Sequence, residues 1–109
     1  MKSIGVDIVK NSRFKSFLND NRKISRILST KEIAVLSSIS NEVKQIEYIA
    51  SRFCVKEALF KAGIKEDFNL ISVLNHEDGK PYIEGDFVDN IQISISHEEE
   101  YTIAFAIVF

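Results

Sequence analysis

Residues 41–63 read Asn41-Glu-Val-Lys-Gln-Ile46-Glu-Tyr-Ile-Ala-Ser-Arg52-Phe-Cys-Val-Lys56-Glu57-Ala-Leu-Phe-Lys61-Ala-Gly63. Val43, Ile46, Ile49, Ala50, Phe53 and Phe60 return at helical spacing, so one face of the segment is apolar. Asn41 can cap the first turn, and Gly63 can close the last one in a left-handed conformation. The spacing predicts a helix over 42–62, the longest periodic stretch in the chain. An apolar stripe of that length needs a flat apolar partner.

The partner is written on either side. Residues 2–9 read as a buried strand with an acid, Asp7, inside it. Ile91, Ile93 and Ile95 alternate with Gln92, Ser94 and Ser96, the period of a half-buried strand. Residues 70–74 and 81–84 flank a polar turn and read as a hairpin. Residues 101–109 form a last strand that is apolar on both faces. Tyr101, Ile103, Phe105, Ile107 and Phe109 lie on one, Ala104, Ala106 and Val108 on the other. Helices can cover one face and a neighbouring subunit the other, which points to an oligomer. Between the first strand and the long helix, Asn11 or Ser12 can cap a helix carrying Phe14, Phe17 and Leu18. A short basic helix with Ile24, Ile27 and Leu28 follows. Ser29-Thr-Lys-Glu32 then fits a capping box that opens a helix to about residue 37. Strand, helices, then strands predict an α+β fold with a mainly antiparallel sheet packed on one long helix and shorter N-terminal helices.

At 109 residues the chain is expected to be one domain, 1–109, and its composition is that of an ordinary globular protein. Glycines at 5, 63, 79 and 85 cannot spell the common dinucleotide or P-loop cradles. The single cysteine, Cys54, excludes an intramolecular disulfide and cysteine-based structural zinc, and reads as a small core residue. No apolar run approaches the roughly 20 residues of a membrane span. An acid at position 7 interrupts what a signal peptide would need, so a cytoplasmic protein is expected, without a membrane partner.

The net charge of −2 conceals an asymmetry. Residues 10–31 hold seven basic side chains against Asp20 alone, whereas residues 32–109 are strongly acidic. A basic segment on an acidic protein suits a negatively charged partner. Nucleic-acid binders are usually basic overall, so nucleic acid is not the expected one.

Asp7 and Glu57 are the carboxylates most open to chemistry. Asp7 either ends its strand in solvent or needs a cation, because an unpaired buried carboxylate is costly. Glu57 and Lys61 are one turn apart, which by itself fits a surface ion pair. Glu57 nevertheless lies about 40° around the helix from Phe53, beside the apolar stripe rather than opposite it. Two carboxylates without a His or Cys cluster suit a hard cation such as magnesium, which completes its shell with water and phosphate oxygens. A nearby lysine suits phosphate charge. His97 follows Ile-Ser-Ile-Ser at a strand end, either as a half-exposed turn residue or as a phosphate donor or acid–base group. His76 and Glu98 to Glu100 read as solvated turns.

In order, Gly5-Val-Asp7-Ile-Val, Arg52-Phe-Cys-Val-Lys56-Glu57-Ala-Leu-Phe-Lys61-Ala, Gly79-Lys80-Pro81 and Ile95-Ser96-His97 resemble the holo-[acyl-carrier-protein] synthases. These are the short bacterial-type branch of the 4′-phosphopantetheinyl transferases, and the likeness runs from residue 4 to about 108. It implies the fold of that family and a transferase of fatty acid biosynthesis. The 4′-phosphopantetheine arm of coenzyme A would move to a serine of apo acyl carrier protein, releasing adenosine 3′,5′-bisphosphate. Asp7 and Glu57 would hold Mg²⁺ or Mn²⁺. Glu57 would also serve as base for the serine proton, and Lys61 would sit near the phosphate oxygens. The family's site is shared between subunits of a homotrimer. Lys80, Pro81, Ser96 and His97 of a neighbouring chain would hold the nucleotide, and Arg52 belongs to the same coenzyme A set. Arg13, Phe14, Phe17, Arg22 and Arg26 match where the family docks its acidic carrier protein, the kind of partner that the charge asymmetry already suggested. The chain departs from the usual pattern at Lys10, where an acid is common. It departs again after Ala62, where a glycine-rich turn is common. The competing reading is a non-catalytic oligomeric module that binds coenzyme A or a carrier protein; intact Asp7, Glu57 and Lys61 weigh against it.

Overall fold

The computed structural model describes residues 2–87 and 89–109. Strand β1 (Ser3–Lys10) leads into a 3₁₀ helix (Asn11–Phe17), then α1 (Asn21–Ile27), α2 (Thr30–Ser37) and the long α3 (Glu42–Lys61). A 3₁₀ turn (Phe68–Leu70) precedes β2 (Ser72–Asn75), β3 (Pro81–Glu84), β4 (Ile91–His97) and β5 (Tyr101–Val108). β5 is central in an antiparallel sheet of order β1-β5-β4, and β2 and β3 form a separate antiparallel hairpin. This is the expected α+β arrangement.

Register assigns the two faces of the sheet. Gly5 opposes Ala106, Asp7 opposes Ala104 and Val9 opposes Thr102, so these pairs share one face. Ile95 and His97 join it from β4. That face packs against α3, where Ile49, Ala50, Cys54, Ala58 and Leu59 are buried. Small residues on both sides bring the helix close. A Cβ added to Gly5 would stand 1.9 Å from the Ala58 carbonyl oxygen, so only glycine fits there. On the other face Ile4, Val6 and Ile8 are 50%, 52% and 59% exposed, beside Tyr101, Ile103 and Phe109.

The helix ends follow their chemistry. Asn41 caps α3 by accepting from the Lys44 amide. At the other end Gly63, at φ +98°, donates to Phe60 and Ile64 donates to Leu59, a Schellman closure. Ser29 and Glu32 form the expected capping box of α2.

Two expectations need correction. Asn11 does not cap the segment carrying Phe14, which is 3₁₀ rather than α-helical. Its amide nitrogen instead donates to the carbonyls of Glu98 and Glu99, and its amide oxygen accepts from Thr102. Three partners from the β4–β5 turn and the start of β5 outcompete one local amide. Strand β2 begins at Ser72, not at residue 70, because Leu70 belongs to the 3₁₀ turn and is exposed.

Candidate active site

Asp7 sits on the α3-facing side of β1 with its side chain 14% exposed. Lys61, one turn beyond Glu57 on α3, donates to Asp7 Oδ1 at 3.0 Å and to the Val6 carbonyl at 3.2 Å. The Asp7 carboxylate holds the Lys61 ammonium above its ordinary pKa, with Glu57 adding to the same effect. Glu57 itself is half-buried. Beneath them Cys54 Sγ donates to the Asp7 carbonyl at 3.2 Å. Burial, helped by the Asp7 charge, pushes its thiol up to about 12, so it is a neutral packing group at neutral pH.

These residues suit a hard cation. Asp7 and Glu57 offer only oxygen donors, and among the described residues no group of three or more His, Cys, Asp or Glu side chains converges. A cation held here would draw its remaining ligands from water and phosphate oxygens, which is the habit of Mg²⁺.

A concavity of about 510 Å³ opens between α3, the β2–β3 hairpin and the end of β4. Arg52, Pro81 and His97 line it together with Lys44, Glu47 and Asn75. His97 Nδ1 stands 3.3 Å from Glu47 Oε2. Arg52 is buried; it donates to the Val73 carbonyl at 3.1 Å and to Asn75 Oδ1 at 2.6 Å. Its guanidinium lies 4.2 Å from the centre of the Tyr48 ring. Burial lowers the Arg52 pKa and raises that of Tyr48 to about 12. Ser96 faces the opposite side of the sheet from His97, and Lys80 lies on the exposed turn before β3. His76 is exposed and stacks on Tyr82. Asp7, Glu57 and Lys61 do not line this groove. One chain therefore carries the two halves of the expected site in different places.

The basic segment forms a third feature. Exposed Arg13 lies over the Phe53 ring at 5.0 Å and the Phe14 ring at 5.5 Å. Phe14 is fully buried and Phe17 half-buried, so Phe14 supports Arg13 from below. Arg22 and Arg26 are exposed on α1.

Sequence reading did not find the ion pair between Lys56 and Glu32. Both side chains are 0% exposed, and Lys56 Nζ donates to Glu32 Oε1 at 2.5 Å and to the Ile27 carbonyl at 2.7 Å. Burial lowers the Lys56 pKa, and Glu32 offsets part of that. An ionisable residue at a core position of α3 is the only signal that could have revealed it. Glu47 and Lys44 in the groove gave no signal beyond helical surface charge.

Residues 3–106 match the family model described as the 4′-phosphopantetheinyl transferase superfamily. A holo-[acyl-carrier-protein] synthase of Acholeplasma laidlawii is 40% identical over 113 residues, covering 96% of this chain and 93% of the relative. That of Petrotoga mobilis is 34% identical and covers 99% and 96%. Among solved structures, a holo-(acyl-carrier-protein) synthase from Bacillus anthracis in complex with coenzyme A (3′,5′-ADP) superposes with a TM-score of 0.88. It is 30% identical and covers 98% of this chain and 95% of its own. The holo-[acyl-carrier-protein] synthase from Neisseria meningitidis gives 0.86 at 27% identity, covering 100% and 98%. With that match extending across both halves of the site, the chain belongs to the 4′-phosphopantetheinyl transferase superfamily.

Proposed function

We propose that this chain transfers 4′-phosphopantetheine from coenzyme A to a serine of apo acyl carrier protein, as a Mg²⁺-dependent holo-[acyl-carrier-protein] synthase. The observation that carries the reading is the cluster of Asp7, Glu57 and Lys61 where β1 meets α3, in a chain aligned along its length with enzymes of that name. The serine oxygen forms a bond to the β-phosphorus of coenzyme A while the bridging P–O bond of the pyrophosphate breaks. Adenosine 3′,5′-bisphosphate leaves. Glu57 accepts the serine proton, and Lys61 offsets charge that builds on the phosphate oxygens. Asp7 and Glu57 hold Mg²⁺ or Mn²⁺, which when bound supplies charge compensation for the pyrophosphate.

The nucleotide falls to Lys80, Pro81, Ser96 and His97, with Arg52 behind them. The groove that contains Pro81 and His97 does not include Asp7 or Glu57 of its own chain, which favours a site completed by a neighbouring subunit of a homotrimer. The exposed apolar face of β1 and β5 is the surface that such an assembly would cover. Arg13, Phe17, Arg22 and Arg26 receive the acidic carrier protein, and buried Phe14 supports Arg13 from beneath. The whole chain, 1–109, works as one domain in the cytoplasm.

Intact-protein mass spectrometry of apo acyl carrier protein incubated with this protein, coenzyme A and Mg²⁺ tests the reaction. A gain of one phosphopantetheine that disappears with EDTA is expected. No gain from a folded oligomer that still binds coenzyme A would instead make it a non-catalytic binding module.

A further inference from the structure

Lys56 immediately precedes Glu57 on α3, yet the transfer reaction as described gives it nothing to do. Its ammonium is fully buried and joins segments that are distant in sequence. One bond goes to the carbonyl of Ile27, the last residue of α1, whose end leaves carbonyls unpaired within the helix. The other goes to Glu32 at the start of α2. Glu32 accepts from the Ser29 amide through Oε1 and from the Val73 amide of β2 through Oε2 at 2.7 Å. Ser72 Oγ donates to Ser29 Oγ at 2.7 Å and closes the network. The C-terminus of α1, the N-terminus of α2, strand β2 and helix α3 all meet at one charge pair.

Stability alone does not call for charges there, because well-packed apolar residues fill such sites as well or better. What an apolar filling lacks is direction. A cation aimed at the α1 C-terminus fixes where that helix ends and how it is turned. α1 presents Arg22 and Arg26 to solvent. We propose that Lys56 and Glu32 are positioning residues that set the basic face of α1 against Glu57, so that a docked carrier protein delivers its serine to the reacting phosphorus. This inference rests on the transfer reading above.

The test is a double-mutant cycle on the intact oligomer. The variant Lys56→Met with Glu32→Gln removes both charges while preserving net charge and nearly preserving volume. Its kcat/KM for apo carrier protein should fall about tenfold, while coenzyme A affinity by calorimetry changes less than about twofold. Adding Arg26→Ala should then cost about fivefold less than it costs in the wild-type background, because α1 is no longer held in its docking pose. A purely structural role predicts additive effects, and additivity overturns the inference. Should the double variant fail to fold, Ser72→Ala keeps the ion pair and removes one neutral bond. It should lower carrier kcat/KM about threefold with coenzyme A affinity unchanged, and no change overturns the inference. A wild-type protein without transfer in the same assay overturns the transfer reading and this one together. Wild-type transfer with additive losses overturns this one alone.

Discussion

Asp7 and Lys61 are exposed enough to exchange partners and close enough to hold one another at 3.0 Å. Such a pair can open toward a cation and its phosphates without leaving a charge buried alone. Asp7→Ala should lower transfer about a thousandfold or more, the several kcal/mol expected of a cation site, while the protein elutes from a sizing column where the wild type does. Retained activity would remove Asp7 from the cation site. Cys54 gives a different test. Its thiol ionises near 9.0 without burial and at about 12 in the fold. Between those values the unfolded chain has released a proton that the folded chain keeps. Stability is therefore complete below about pH 9 and declines as pH rises toward 12. Tyr48, raised from 10.0 to about 12, acts in the same sense. Urea unfolding at pH 7.5 and at about pH 10.5 should show that decline, and Cys54→Ala should reduce it. An equal decline in the variant would take Cys54 out of the linkage.

Among the elements, α2 and α3 start with similar caps in different surroundings. Asn41 is exposed and serves one amide. Ser29 is buried; it caps α2, receives the Ser72 hydroxyl and adjoins the Lys56–Glu32 pair. Ser29→Ala should cost about 2 kcal/mol, against about 1 kcal/mol for Asn41→Ala, when both are measured by urea denaturation. Equal costs would mean that the buried network around Ser29 relaxes freely. The three α-helices and the caps of α2 and α3 were legible in the sequence because capping and amphipathic spacing act within a few residues. The 3₁₀ form of residues 11–17 was not. Asn11 is drawn away from its local role by Thr102 and by the carbonyls of Glu98 and Glu99, about ninety residues along the chain.

For the whole molecule the decisive feature is the sheet with one face under α3 and the other open. Ile4, Val6 and Ile8 form a row beside the odd-numbered apolar residues of β5, larger than scattered surface apolar groups. The proposed sharing of the site between neighbouring chains is tested at this scale. Mixing chains that carry Glu57→Ala with chains that carry His97→Ala should restore part of the activity that each homogeneous oligomer lacks. Absence of rescue in demonstrably mixed oligomers would mean that each chain completes its own site.

The α+β class, the long helix from Glu42 to Lys61 and the alternation of β4 are determined by the sequence itself, because apolar period and capping chemistry are local. The residues Asp7, Glu57, Lys61, Arg52, Pro81 and His97 could be nominated from it as well. Tertiary structure alone decided that Asp7 meets Lys61, that Arg52 spends its guanidinium on Val73 and Asn75, and that Lys56 meets Glu32. Each is a contact across more than twenty residues. Its occurrence depends on which elements pack together, and no spacing along the chain records that choice.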